Sequence, residues 1–253
     1  MRNFIIFFSI IFLFATGMQA MVVETVTFKS GGFEEINLSG DLVYDADKID
    51  APAVIMCHPH PSGGGSKDIP IYLAIADKLS RAGYTVLRFD FRGVGKSEGQ
   101  FGEGEEGEND VRGAVSYLLS HPVLKPSKIF LFGYSYGAGT AFRVSLFDSR
   151  ISGTVLIGLP TVYFTNFVEY KSINNPKVPM KIIIGAEDFI SKGMVTAMRP
   201  YLQKTFHKFT LIKIPGEDHS FSKSWEGIIA STLQFLEKYS KQEPEENKTD
   251  SKK

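Results

Sequence analysis

Ser135 stands at the centre of Gly133-Tyr-Ser-Tyr-Gly137, and downstream of it the chain carries two histidines, His207 and His219, and an adjacent carboxylate pair, Glu187-Asp188. A serine hydroxyl is almost un-ionised at neutral pH, so it attacks a carbonyl only with a base in hydrogen-bond reach and an acid to orient that base. A five-residue pattern is a weak signal alone, and its context decides. Here an apolar run, 128–134, leads into the serine, and the small residues Ala138 and Gly139 open a helical pattern behind it. A nucleophile on a sharp strand-to-helix turn needs that layout, because glycines on both flanks let strand and helix pass closely. Ser135 is therefore read as the nucleophile, against the alternative of a small residue in a glycine-rich turn.

A nucleophile of this kind is followed in chain order by its acid and then its histidine. His219 lies in Pro215-Gly-Glu-Asp-His-Ser220, a loop just after the last apolar run, where a base reaching over a sheet is expected; His207 falls inside a helix pattern. Asp188 ends the run Met180-Lys-Ile-Ile-Ile-Gly185 and its loop, at the strand end where open α/β sheets gather their sites. Glu187 is the second choice, and Asp218 is too close to His219 in sequence to hold its ring. A tetrahedral intermediate also needs amide donors. Tyr136, next to the nucleophile, should give one. The loop His58-Pro-His-Pro-Ser-Gly-Gly-Gly65 should give the other, and because Pro59 and Pro61 have no N–H the donor is His60, with Ser62 as runner-up. His58 and His60 lack a carboxylate at ligand spacing, so no metal is expected, and a phosphate cradle fails for want of the Lys-Ser/Thr ending. No cofactor is called for.

The elements that must position these residues alternate along the chain. Residues 22–28 and 35–44 read as a hairpin around 30–32. Ala53–Cys57, 84–90, 128–134, 153–159, Met180–Gly185 and 209–215 are short and rich in Val, Ile, Leu or Phe, as strands buried on both faces should be. Between them lie helix patterns at 69–82, stopped by Gly83, at 110–120 with Asp110 as N-cap, at Tyr136–Phe147, at 193–207 and at 225–241. The expected fold class is α/β, a mostly parallel, doubly wound sheet flanked by helices, in one domain over 21–240.

Composition is consistent with that. The 253 residues are 43% hydrophobic and 22% charged, and Lys plus Arg equals Asp plus Glu at 28 each, which removes the electrostatic case for nucleic acid or an anionic membrane surface. A small acyl substrate is the expected partner; oligomeric state is not legible. The single Cys57 closes an apolar run and reads as a buried small hydrophobe. Residues 1–20 show Arg2, an apolar stretch over 4–15 and then small residues, the layout of a secretory signal with cleavage after Gly17 or Ala20. A secreted or periplasmic location follows; the alternatives are an uncleaved anchor and a cytoplasmic chain starting at Met21. Residues 241–253 are polar and aperiodic, a disordered tail.

With GYSYG, HPHPSGGG, DFRGVGKSEG (90–99), GAED and GEDH in one order, the sequence resembles the α/β-hydrolase superfamily, and within it the small branch related to dienelactone hydrolases and serine aminopeptidase-like proteins. The resemblance runs from about residue 23 to 238. It implies an α/β-hydrolase fold with a minimal cap, a triad of Ser135, Asp188 and His219, an oxyanion hole from the amides of His60 and Tyr136, and a structural role for Asp90, Arg92, Gly93 and Gly95. Two departures stand out: the leader is unusual for this branch, and Tyr136, expected in the pocket wall, occupies a place where many members carry Phe or Leu. The function expected is a metal-free serine hydrolase of a small ester, thioester, lactone or amide. The competing class is a non-catalytic binding or scaffold protein on the same fold, which usually lacks one triad member.

Overall fold

The computed structural model describes residues 20–34, 36–161, 177–193, 202–203 and 208–242. The sequence readings that fall on the leader, the helix pattern at 193–207, His207 and the tail therefore lie wholly or mostly outside the described residues.

Among the described residues eight strands form one sheet: β1 (Met21–Lys29), β2 (Asn37–Asp45), β3 (Ala53–Cys57), β4 (Thr85–Phe89), β5 (Ile129–Tyr134), β6 (Ile151–Ile157), β7 (Met180–Gly185) and β8 (Phe209–Ile214). Their order is β1-β2-β4-β3-β5-β6-β7-β8. β1 and β2 form the antiparallel hairpin expected around Gly32, β2 pairs antiparallel with β4, and all later neighbours are parallel. Every residue of β3 and β4 is buried, whereas β1 alternates and the edge strand β8 is only half covered.

The period-two alternation of each strand feeds two cores. Ala53, Ile55, Leu131 and Leu156 face α2 (Glu105–Ser120) and α3 (Tyr136–Phe147), meeting Val111, Leu118 and Phe142. Val54, Met56, Phe130 and Phe132 face α1 (Pro70–Arg81) and α4 (Trp225–Ser240), meeting Ile75, Leu79 and Phe235. α1 begins with Pro70 in the first turn, where a missing N–H costs nothing, and Gly83 beyond its end takes φ 91°. Among the described residues no helix is long and apolar enough to cross a membrane.

One element differs from the reading of the sequence. Asp110 is not the N-cap of α2, which begins five residues earlier at Glu105. Glu105, Glu106 and Glu108 fill the first turn, where carboxylates suit the positive end of the helix dipole. Asp110 is instead fully buried inside the helix and accepts from Arg92 at its backbone N (2.9 Å), Nε (3.0 Å) and Nη2 (2.8 Å). The glycine-rich run 102–107 disguised the helix start. Gly107 lies inside α2 because a Cβ there would overlap the Tyr136 hydroxyl. Asp90 and the turn behind it are structural as expected: Asp90 accepts the Lys67 amide at 2.8 Å, and a side chain on Gly95 would strike its carboxylate.

Candidate active site

β3, β5, β7 and β8 run parallel, so the loops that follow them emerge on one edge of the sheet. The elbow after β5 brings Ser135 there with φ 56° and ψ −119°, a conformation costing a non-glycine residue on the order of 1–3 kcal/mol. The surroundings enforce it. A Cβ on Gly133 would overlap the Gly137 carbonyl, a Cβ on Gly137 would overlap the Cys57 carbonyl, and the Ser135 amide donates to Ile157 O at 2.9 Å. Strand, turn and helix are thus packed too closely for side chains at either flank.

Ser135 Oγ lies 2.8 Å from His219 Nε2, and His219 Nδ1 lies 2.8 Å from Asp188 Oδ2. An ionised carboxylate only accepts, so Nδ1 carries the proton and Nε2 is left to accept from the serine. Asp188 is held in turn by its other oxygen, which accepts the amides of Ile190 (2.9 Å) and Ser191 (3.1 Å). Burial pushes this carboxyl up, but the bonds from His219 and Ser191 outweigh it and hold Asp188 below the ordinary carboxylate value. The His219 loop is pinned by Tyr134, whose hydroxyl donates to the His219 carbonyl at 2.7 Å, and by Trp225, whose indole N–H donates to Ser220 O at 3.1 Å. Burial, with Asp188 and Asp218 nearby, raises the Tyr134 phenol to about 12, so it stays a donor throughout the neutral range. Phe221 takes φ 53° with its ring buried against Tyr134 and Trp225.

Glu187 points to solvent and Asp218 is spent on Ser220, so of the carboxylates weighed only Asp188 meets the histidine. His58 is buried and neutral: its Nδ1 donates to Pro59 O (2.6 Å), its Nε2 accepts the Phe91 amide (3.1 Å), and burial brings its ionisation down to about 4. Among the described residues no group of three or more His, Cys, Asp or Glu side chains is arranged to hold a metal ion. His60 stands at the head of a short turn, Pro61–Gly63; its carbonyl accepts the amides of Gly63 (3.0 Å) and Gly65 (3.2 Å), while its own amide meets no acceptor among the described residues. Tyr136 is the first residue of α3, in the turn whose N–H groups have no acceptor within the helix. Its side chain departs from expectation. Rather than lining a pocket wall it is buried, with its hydroxyl donating to Gly102 O at 2.9 Å.

A family model described as alpha/beta hydrolase fold matches residues 52–176, which take in β3 to β6 and extend beyond the end of β6. Two solved structures superpose over most of the chain: an esterase of Pyrococcus furiosus, with TM-score 0.71, 23% identity and coverage of 86% of this chain and 92% of that one, and a serine hydrolase without lid from Xanthomonas campestris, with TM-score 0.67, 22% identity and coverage of 87% and 97%. This chain has the α/β-hydrolase fold. Among curated proteins, an uncharacterized protein of Rickettsia prowazekii is 29% identical over 196 residues, 76% of this chain and 81% of its own length. The next three curated relatives are longer, and the matches cover 43%, 43% and 53% of their lengths.

Proposed function

We propose that this α/β-hydrolase chain is a serine hydrolase that cleaves a small carboxylic ester, thioester, lactone or amide through an acyl-enzyme on Ser135. The observation that carries the reading is the continuous path from Ser135 Oγ through His219 to the buried Asp188, with 2.8 Å at both links. In the proposed reaction Oγ attacks the acyl carbon while His219 Nε2 takes its proton, and the carbonyl electrons move to an oxyanion received by the amides of His60 and Tyr136. Collapse expels the leaving group, which takes the proton back from Nε2. Water, deprotonated by the same nitrogen, then attacks the acyl-enzyme; Oγ departs with that proton and the free acid leaves. Asp188 stays ionised throughout, orienting the ring and stabilising its charged form, a task suited to a carboxyl held below its ordinary value. The esterase and serine hydrolase names of the structural neighbours agree with this chemistry.

The test is labelling with a fluorophosphonate probe, which reacts with activated serines. Wild-type protein should label and Ser135→Ala should not, while both unfold at similar urea concentration because one hydroxyl is lost from a turn outside the core. Undiminished labelling of Ser135→Ala would remove the nucleophile assignment, and no labelling of either protein would remove the enzyme reading.

A further inference from the structure

We propose that the segment 101–104 is a clasp that fixes the separation of the two amides receiving the oxyanion, with the His60 ring, Glu103 and the Tyr136 hydroxyl as positioning groups. The inference deepens the hydrolase reading and rests on it. The two amide carriers come from loops distant in sequence, one after β3 and one after β5, and both are fastened to neighbouring residues of this segment. Tyr136 Oη donates to Gly102 O at 2.9 Å, and His60 Nε2 lies 3.2 Å from Glu103 Oε1.

The direction of the second bond follows from the other side of the ring. His60 Nδ1 lies 3.1 Å from the Ser62 amide nitrogen and 2.8 Å from Ser62 Oγ. A backbone N–H can only donate, so Nδ1 is an acceptor without a proton; in the neutral ring the proton sits on Nε2 and is donated to Glu103. The neighbours have thereby selected one tautomer. The ring is also boxed by Phe101 (4.7 Å between centroids, 74° between planes) and Tyr136 (5.7 Å, 87°).

The backbone of His60 has little freedom of its own. Pro61 confines it to the extended region, where it lies at φ −58° and ψ 134°, and Pro59 fixes the preceding φ. Its carbonyl is held by Gly63 and Gly65, and a Cβ on Gly65 would overlap the Pro59 carbonyl. What remains is rotation of this small loop as a unit relative to the elbow, and the Glu103 contact opposes it. The same segment explains residues that the triad does not use: Gly104 takes φ 80°, and Gly107 admits the Tyr136 hydroxyl that reaches Gly102.

The experiment compares Glu103→Ala, Glu103→Gln, Tyr136→Phe and the double variant Glu103→Ala/Tyr136→Phe in steady-state hydrolysis of p-nitrophenyl acetate. Binding of a trifluoromethyl ketone, which mimics the tetrahedral intermediate, and urea unfolding are measured alongside. The Glu103 side chain is 72% exposed, so its truncation should leave the fold intact. Expected are a fall of about tenfold in kcat with KM within about twofold, and an equal loss of ketone affinity. Gln, which still accepts from Nε2–H, should recover most of the loss, and the double variant should depart from the product of the single effects. A labelled wild type whose Glu103→Ala variant keeps kcat within twofold overturns the clasp alone, as does an effect confined to KM or one that Gln fails to recover. A wild type that neither labels nor hydrolyses any ester overturns the hydrolase reading and the clasp with it.

Discussion

Asp188→Asn separates the structural from the chemical role of the buried carboxylate. One oxygen accepts the amides of Ile190 and Ser191 at 2.9 and 3.1 Å, and the other accepts His219 Nδ1–H at 2.8 Å. Asparagine can keep its oxygen on the two amides, which turns its NH2 towards the histidine. That group donates. His219 must then present Nδ1 as an acceptor and carry its proton on Nε2, aimed at the serine it should deprotonate. The loss is that of base activation, about 10³–10⁴-fold in kcat/KM, or ~4–5.5 kcal/mol at 1.36 kcal/mol per decade. Asp188→Ala is the contrast: it also orphans two backbone donors, at about 1–3 kcal/mol of stability each. The pH dependence has a defined sign. Asp188 ionises below its ordinary value in the folded protein. Its contribution to stability is therefore complete above the ordinary carboxylate pKa near 4 and is lost as pH falls through the lower folded value. The stability gap between wild type and Asp188→Asn should thus be constant near neutral pH and narrow below about pH 4. Ester hydrolysis at neutral pH and urea unfolding across pH check both parts. A folded Asn variant within tenfold of wild type in kcat/KM, or a gap that widens on acidification, would refute the reasoning.

Acyl-chain preference follows from the minimal cap that the resemblance implies, since the connection between β6 and β7 lies largely outside the described residues. Acetyl to butyryl p-nitrophenyl esters should exceed palmitoyl by at least about tenfold in kcat/KM, roughly 1.4 kcal/mol, and a maximum at twelve carbons or longer would contradict it. Asp110→Ala leaves the Arg92 guanidinium buried without its main partner and should cost about 3–5 kcal/mol in urea unfolding; a loss below 1 kcal/mol would show that the pair does not secure the turn behind β4. Tyr134→Phe removes the hydroxyl that holds the His219 carbonyl at 2.7 Å, and a neutral hydrogen bond is worth about 0.5–1.5 kcal/mol, so kcat should fall about two- to tenfold with fluorophosphonate labelling retained but slower. Unchanged labelling kinetics would separate that hydroxyl from the histidine.

What was legible in the sequence was what local pattern controls. Buried strands announce themselves as unbroken apolar runs, and β3, β5 and β7 appear where Ala53–Cys57, 128–134 and Met180–Gly185 predicted them, so the residues after them fall on one edge of the sheet. The choice between Glu187 and Asp188 was not local: it rests on the contacts of Asp188, one oxygen taking the amides of Ile190 and Ser191 and the other facing His219. The misreading of Asp110 shows the limit. Asp before an amphipathic run is a good cap, and only the position of Arg92, eighteen residues upstream, makes it a buried ion partner instead.

The same limit explains why the loop proposed to receive the oxyanion could be named while its contacts to 101–104 could not. Prolines at 59 and 61 made His60 the expected amide donor, with Ser62 as runner-up, an argument confined to a few residues. Its link to Glu103 spans 43 residues, and the link from Tyr136 to Gly102 spans 34. Both exist because the chain after β4 folds back over the elbow, a consequence of the Arg92–Asp110 pair and of the glycines at 93, 95 and 99, whose positive φ angles turn that segment. A strained serine at φ 56° holds its geometry only if what surrounds it resists relaxation, and the neighbours here are backbone carbonyls, close-packed glycines and tethered loops rather than flexible side chains. Rigidity at the elbow is therefore distributed over three loops and the strand ends beneath them. That is why a substitution at Gly107, remote from Ser135 in sequence, would displace Tyr136 and with it the amide that follows Ser135.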